Sequence, residues 1–170
     1  LGGNMRVSGL FSGPKQGLPK GRSMPKNPEP NLLITKLGAA GDINHYRLTK
    51  KNNEEDMAIL VLSSQELEQL RQKGYEFLPG DLGENILIEG LPVDQIIPDM
   101  YLNFESGLSL QFSRICDPCS KLNQLPNIGS KRIKSLLKDA LGLRGWYARV
   151  ITEGNVSIGD LVEIHGISSN

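Results

Sequence analysis

Short apolar segments with the character of β-strands recur along the whole chain, whereas helical periodicity is confined to two stretches. Glycine, proline, asparagine and serine, the residues that favour turns, separate these segments. The predicted strands are residues 6–11, 31–37, 58–62, 85–89, 100–104, 108–112, 146–152 and 160–165. Many short strands with few helices are typical of β-rich, barrel-like domains. We therefore predict a mainly β fold of the α+β class.

Two stretches carry helical signals. Ser63 is followed three residues later by Glu66, the capping-box pattern, and an apolar face then continues until Gly74. Residues 130–141 repeat apolar side chains at helical spacing, and Gly142 follows them as a stop signal. No Gly-x-Gly-x-x-Gly sequence follows the first strand, so a dinucleotide-binding doubly wound sheet is not predicted.

Length and composition indicate one soluble domain. The chain has 170 residues, of which 38% are hydrophobic and 22% charged, within the usual range for a domain. We assign residues 5–167 to a single domain and expect residues 1–4 to be a remnant ahead of a native start at Met5. No apolar run approaches the ~18–20 residues of a membrane span, so no membrane partner is expected. Two cysteines are too few for a disulfide framework, which favours a cytoplasmic location.

Charge is balanced over the whole chain but not along it. The formal net charge of zero argues against a nucleic-acid partner. Residues 1–53 carry nine basic and two acidic side chains, residues 54–107 two and twelve, and residues 108–170 eight and five. The asymmetry fits an anionic partner at one face, and it also fits mutual neutralisation of the segments within the fold. On charge alone we prefer neutralisation.

The two cysteines form a Cys-x-x-Cys pair at Cys116 and Cys119. The pair lacks the helix start of a thioredoxin-like site, and a zinc site would need two further ligands. A structural interpretation makes Cys116 a small buried residue and Cys119 a loop thiol. Neighbouring cations favour a reactive Cys119 thiolate, since Arg114 lies five residues before it and Lys121 two after it. We interpret Arg114 as functional and the basic residues of 131–138 as a solvated helix face.

Two loops combine turn residues with charged side chains, and each has two interpretations. Residues 78–86 place Gly83, Glu84 and Asn85 in a tight loop before a strand. Their residue types alone favour a turn whose polar groups satisfy nearby backbone. The basic loop of residues 13–30 suits a phosphate group, although it lacks Walker spacing, and it equally fits a disordered basic segment.

Taken together and in order, these segments resemble the MOSC domain, the family named after the C-terminal part of molybdenum cofactor sulfurase. The resemblance spans nearly the whole chain, so we expect a stand-alone member. The matching motifs are Gly41-Asp42, Pro79-Gly80-Asp81-Leu82-Gly83-Glu84-Asn85-Ile86, Arg114-x-x-x-Pro118-Cys119-x-Lys121-Leu122, Gly145-Trp146-Tyr147-Ala148-Arg149-Val150 and Gly154-x-Val156-x-x-Gly159-Asp160. The Gly-Glu-Asn and Pro-Cys motifs are specific at this spacing.

The resemblance implies a MOSC-type β-barrel whose cysteine, here Cys119, ligates molybdenum or carries persulfide sulfur. It implies the molybdenum cofactor, an anionic molybdopterin, as the ligand. A cysteine desulfurase would be the partner of a sulfur carrier, and a flavin or iron–sulfur reductase would be the partner of a molybdenum oxidoreductase. Pyridoxal phosphate binding is implied at the family level only. The residues expected to contact the cofactor are Lys20, Arg22, Asp42, Asn44, His45, Gly83, Glu84, Asn85, Arg114, Arg144 and Trp146.

The chain departs from the family pattern at two positions. Cys116 is an additional cysteine, either a resolving thiol or a core residue, and Arg114 is displaced from Pro118 by three residues. Two further functions stay open: a reductase of N-hydroxylated bases or amidoximes, and a non-catalytic anion-binding module. The reductase would need a separate electron-transfer partner, because the chain has neither a dinucleotide fingerprint nor enough cysteines for a cluster.

Overall fold

The computed structural model describes residues 4–13, 24–42, 52, 54–119, 122–123, 125 and 128–166. Within these ranges the chain forms eleven strands and two α-helices. The strands are β1 Met5–Ser12, β2 Asn27–Pro28, β3 Asn31–Thr35, β4 Gly38–Ala39, β5 Ile59–Ser63, β6 Ile86–Glu89, β7 Tyr101–Phe104, β8 Ser109–Ile115, β9 Trp146–Thr152, β10 Gly154–Ser157 and β11 Leu161–His165. The helices are α1 Ser64–Gln72 and α2 Gly129–Asp139, and short 3-10 helices span Glu55–Met57 and Val93–Gln95.

Seven strands close a barrel in the order β1, β6, β5, β9, β8, β7 and β11. The ring closes where β11 pairs antiparallel with β1, with Met5 opposite Val162 and Arg6 opposite Leu161. Strands β5 and β6 are parallel, and α1 supplies the crossover that a parallel pair requires. β2 pairs with β1 outside the ring, and β10, β3 and β4 form a separate small sheet. The predicted mainly β, barrel-type fold is confirmed.

Two hydrophobic cores hold the molecule together. The first fills the barrel, and the second lies between the helices and strands such as β5 and β6. β5 serves both cores, because Ile59 and Val61 belong to the first and Leu62 to the second. This double burial explains the uninterrupted apolar run of residues 58–62. No helix in the described ranges is long and apolar enough to cross a membrane.

Three short strands were not predicted. β2 lies within the loop predicted for residues 13–30, β4 follows the predicted strand 31–37, and β10 lies in a predicted connection. The eight predicted strands and both helices are present, and the capping box of Ser63 and Glu66 forms as predicted. Residues 153–159 were expected to be a connection only, but they contain β10. β10 pairs with β3, bringing Val156 opposite Leu32. A distant partner strand stabilises this segment, which its glycine, asparagine and serine do not predict locally.

Candidate functional site

The end of β8 and the beginning of β9 position the cysteine pair. Arg114 on β8 lies opposite Tyr147 on β9. Beyond the following pair, Ile115 and Trp146, the Cys116 amide donates a hydrogen bond to the Gly145 carbonyl at 2.8 Å. Side chains alternate across a strand, so Tyr147 points away from the face whose Ala148 packs in the barrel core. Tyr147 thus lies beside the end of β8 that leads into the cysteine pair.

Four side chains form what we call the dithiol cluster: Cys116, Cys119, Arg144 and Tyr147. Cys116 is buried, whereas Cys119 is exposed. Arg144 Nη1 donates toward Cys116 Sγ at 3.8 Å. Burial raises the pKa of Tyr147, and the charge of Cys116, a hydrogen bond with Cys116 and the charge of Cys119 act in the same direction. Tyr147 therefore neighbours Cys116 and lies within electrostatic range of Cys119, and its hydroxyl stays protonated at neutral pH.

Arg144 brings a buried positive charge to the cluster. The residue is 3% exposed, and its Nε has no hydrogen-bond partner within the described part of the chain. None of the ion pairs between described residues includes Arg144. Buried guanidinium groups are normally paired, because removing a charge from water is costly. Arg144 is thus a cation that attracts negative charge toward the cluster.

Glu66 connects α1 to this cluster. Its Oε1 accepts a hydrogen bond from the Ser63 amide at 3.0 Å, and its Oε2 accepts one from the Gly145 amide at 2.9 Å. Burial raises the pKa of Glu66 to about 7, although these two hydrogen bonds and the charge of Arg144 oppose the increase. Near neutral pH the carboxyl is therefore only partly ionised, and it compensates the Arg144 charge incompletely.

The loop of residues 78–85 places a second buried carboxyl near Arg144. Glu84 Oε2 accepts a hydrogen bond from the Gly80 amide at 2.9 Å, whereas Oε1 has no partner among the described residues. Burial raises the pKa of Glu84 against the opposing effects of its hydrogen bonds and of Arg144 and Lys26. Gly83 donates from its amide to the Gly80 carbonyl at 3.2 Å and keeps the loop tight.

Asn85 connects three strands at the beginning of β6. Its Oδ1 accepts a hydrogen bond from the Leu60 amide of β5 at 3.0 Å. Its Nδ2 donates to the Phe11 carbonyl of β1 at 3.3 Å. These bonds satisfy a buried amide and fix the strands beside the loop. The role of Gly83, Glu84 and Asn85 as cofactor contacts stays a prediction.

Arg114 forms a two-point ion pair with Glu54. Its Nη1 and Nη2 donate to the two carboxylate oxygens at 3.0 and 3.1 Å. The hydrogen bond with Glu54 is the main reason that the pKa of Arg114 is raised. The pair fixes the segment that enters the 3-10 helix against β8. Arg114 thus lies beside Tyr147 and has a carboxylate partner, and its role toward a cofactor stays a prediction.

Two other predicted site residues have well-defined packing partners. Asp42 Oδ1 lies 2.8 Å from Lys26 Nζ in a buried ion pair. Lys26, a cation of the basic loop, is therefore already paired. Trp146 packs edge-on against Phe112, with 5.9 Å between the ring centroids. Neither contact reaches the dithiol cluster, and both residues stay predictions as cofactor contacts.

Four predicted residues, Lys20, Arg22, Asn44 and His45, lie outside the described residues. Their roles stay predictions, as does the expectation that the basic beginning of the chain approaches Cys119.

Sequence reasoning did not assign a site role to Tyr147 or Glu66. The alternation of β9 was a usable signal, because Ala148 and Val150 are apolar while Tyr147 and Arg149 occupy the other face. Glu66 was identified as a helix cap only. Its second partner, the Gly145 amide, lies 79 positions away in the sequence, and no local pattern predicts such a contact.

Comparisons with known proteins show the family and the fold of this chain. Residues 44–163, well over half of the chain, match the family model described as the MOSC domain. The chain belongs to the MOSC domain family. Its Pro118-Cys119 motif carries the exposed member of the dithiol cluster. A search of curated proteins finds no match.

Solved structures share the fold of this MOSC domain. The crystal structure of the YuaD protein from Bacillus subtilis superposes with a TM-score of 0.81 at 22% identity, over 98% of each chain. YiiM from Escherichia coli gives a TM-score of 0.66 at 21% identity, over 99% of this chain and 72% of that chain. YiiM from Geobacillus stearothermophilus gives 0.66 at 24%, over 95% and 75%. At these identities the likeness shows the fold.

Proposed function

We propose that this MOSC protein binds the molybdenum cofactor and that Cys119 is the thiolate ligand of the metal. One observation carries the proposal. The exposed Cys119 thiol lies three positions from Cys116, and Arg144, a buried guanidinium without an ion-pair partner among the described residues, contacts the Cys116 sulfur at 3.8 Å. An accessible soft ligand and an incompletely compensated cation are suited to an anionic, metal-bearing ligand.

The chemistry of the side chains fits the cofactor at the metal end. A thiolate is a soft metal ligand. Of the two free cysteines, Cys119 is the one exposed to solvent. The neighbouring carboxyls of Glu66 and Glu84 have raised pKa values. Their reduced ionisation weakens the repulsion that an incoming anion would meet.

The residues of the cluster divide the work of binding. Cys119 would hold the metal, and the positive charge of Arg144 would attract the anionic ligand. Tyr147 stays protonated, so its hydroxyl can donate a hydrogen bond to an oxygen or sulfur of the ligand. When bound, the cofactor would supply a redox-active centre, the chemistry that a reductase of N-hydroxylated bases needs.

The decisive experiment is metal and pterin analysis of protein purified from a host that makes the cofactor. We expect molybdenum and pterin fluorescence in the wild type and their loss in Cys119→Ala. Cys116→Ala is the matched control. It also removes one sulfur atom, but from a side chain three residues away that solvent does not reach. This control should retain the metal. If the wild type and Cys119→Ala both lack molybdenum and pterin when purified from this host, the proposal is contradicted.

A sulfur-carrier function is separated by a second measurement. Incubation with a cysteine desulfurase and cysteine would add the mass of one sulfur atom to Cys119 if the residue carries persulfide. If Cys119 forms a persulfide and the protein binds no molybdenum, the role of Cys119 would be sulfur transfer and not metal ligation. A protein that gains neither sulfur nor molybdenum would be an anion-binding module.

A further inference from the structure

The second cysteine, Cys116, has no role in the proposed function. The Cys116 side chain is 3% exposed, and Arg144 Nη1 and the Tyr147 hydroxyl both contact its sulfur. A buried cysteine that serves only for packing normally lies among apolar groups. Here the sulfur contacts a guanidinium and a hydroxyl, and it also donates toward the Asp117 carbonyl at 3.8 Å. It lies three positions from an exposed thiol.

Arg144 brings a positive charge to this sulfur. The guanidinium is buried, and it is directed at Cys116 Sγ, while its Nε has no partner in the described ranges. A cation held in this way stabilises a thiolate, which is the nucleophilic form of cysteine. Arg144 therefore supports reaction at Cys116 as well as binding at Cys119.

We propose that Cys116 and Cys119 form a peroxide-sensitive dithiol, in which Cys116 captures oxidised Cys119 as an intramolecular disulfide. The inference does not depend on the cofactor, since it concerns the two sulfurs alone. It does have a consequence for the cofactor. A disulfide has no thiolate, so oxidation would remove the proposed metal ligand until a dithiol reductant restores it.

The chemistry has two balanced steps. The exposed Cys119 thiolate attacks one oxygen of hydrogen peroxide, the O–O bond breaks, and hydroxide leaves while Cys119 becomes a sulfenic acid. The Cys116 thiolate then attacks Cys119 Sγ, the S–O bond breaks, and a second hydroxide leaves. The two thiols lose two electrons, and their protons convert the two hydroxides to water.

Any movement that brings the two sulfurs into bonding distance has to come from the loop between the cysteines. Disulfide formation needs Cα atoms within about 7 Å. Cys116 is held in place because its amide bonds to the Gly145 carbonyl at 2.8 Å. Cys119 lies beyond the end of β8, after Pro118 in an irregular segment. We therefore assign any movement to Cys119, which approaches a fixed partner.

The test uses metal-free protein, reduced and then exposed to hydrogen peroxide. Thiols are titrated after unfolding, and intact mass and peptide maps are recorded. The wild type should lose both thiols together and the mass of two hydrogen atoms, and a dithiol reductant should restore both. Cys116→Ser should instead accumulate Cys119 sulfenic acid that a dimedone probe traps. Cys119→Ser should keep Cys116 unoxidised in the folded protein, because that sulfur is buried.

Arg144→Lys and Arg144→Gln form a matched pair for the role of the cation. We expect the glutamine variant to close the disulfide at least about tenfold more slowly than the lysine variant, which keeps the charge. If both variants fail to fold, the sulfenic acid trap in Cys116→Ser still decides the proposal.

Three outcomes would overturn the inference: a wild type that reaches Cys119 sulfinic acid while Cys116 stays free, a disulfide between two molecules, and equal sulfenic trapping in wild type and Cys116→Ser. The metal analysis is independent of this test. Disulfide formation without molybdenum binding would refute the proposed function and leave the dithiol standing. Molybdenum binding without disulfide formation would support the proposed function and refute the dithiol.

Discussion

Glu66 shows how one side chain can join a helix to a site. One carboxylate oxygen completes the cap of α1, and the other accepts the amide of Gly145, whose carbonyl in turn receives the Cys116 amide. The same carboxyl has its pKa raised from 4.5 to about 7 by burial. The native protein therefore binds a proton at Glu66 over a pH range in which the unfolded chain has released it.

The stability of the protein should decrease as the pH rises through this range. A carboxyl with a raised native pKa contributes fully below pH 4.5, and its contribution is lost as the pH rises toward about 7. The loss is on the order of 3 kcal/mol. Urea unfolding of wild type and Glu66→Gln at several pH values measures it as the difference between the two proteins. Parallel stability curves between pH 4.5 and 7 would contradict this assignment.

Site residues divide into those that sequence could indicate and those that only the fold brings together. Cys119 and Arg144 were predicted because reactive thiols and cations carry recognisable chemistry, and the family motif singles out the cysteine. Tyr147 and Glu66 acquire their roles from strand register and from a contact across the chain. Such contacts depend on the closed barrel, so the local sequence contains no sufficient signal for them.

Two glycines at the ends of different elements show how packing changes the effect of the same backbone angle. Gly74 follows α1 with φ +95°, and Gly80 lies in the loop of residues 78–85 with φ +93°. A Cβ at Gly74 would meet no atom within 4 Å. A Cβ at Gly80 would lie 2.8 Å from the Phe11 ring and 3.0 Å from the Lys26 carbonyl. Only the second element has a neighbour that excludes a side chain.

Gly80→Ala should therefore destabilise the protein more than Gly74→Ala. The positive φ should cost about 1 kcal/mol at either position. Overpacking at Gly80 should add about 1–3 kcal/mol, and it should disturb Glu84, which accepts the Gly80 amide. Thermal or urea unfolding of both variants measures the difference. Equal destabilisation would mean that the Phe11 ring moves aside without cost.

The elements that sequence predicted are those with strong local signals. Helix α1 has its capping box, and β5 has an apolar run that burial on both faces requires. β10 was missed because Gly154, Asn155 and Ser157 disfavour strands, and only its pairing with β3 makes it one. The parallel pairing of β5 with β6 and the closure of the barrel are non-local in the same sense.

Across the whole molecule, the charged segments partly neutralise one another. Glu54 pairs with Arg114, while Asp56 and Asp99 both pair with Arg149. Each of these ion pairs joins the acidic middle of the chain to its basic last third. The neutralisation predicted from the charge pattern therefore occurs for the described residues. Arg144 forms no such ion pair among the described residues, and the buried carboxyls of Glu66 and Glu84, whose pKa values are raised, compensate its charge only in part.

Closure of the barrel should make the molecule unfold as one unit. β11 meets β1 through two residue pairs, and the Val7 amide adds a hydrogen bond to the Asp160 carbonyl at 2.9 Å. Val162, on the closing strand, is 4% exposed and belongs to the barrel core. Because that core contains side chains from every strand of the ring, loss of the closing strand should expose all of it.

Val162→Ala should therefore cost about 2–3 kcal/mol and keep a single unfolding transition. Leu161→Ala is the matched control, because its side chain on the same strand is 39% exposed and should cost less than about 1 kcal/mol. Native-state hydrogen exchange gives the sharper measurement, since amides of β1 and β11 should exchange only through global unfolding. If β11 exchanges in a separate, lower-energy step in the wild type, the closing strand is an independent unit. The barrel would then be able to open without global unfolding. The amide of Cys116, which is hydrogen-bonded to the Gly145 carbonyl, would still exchange at the same rate as the core amides.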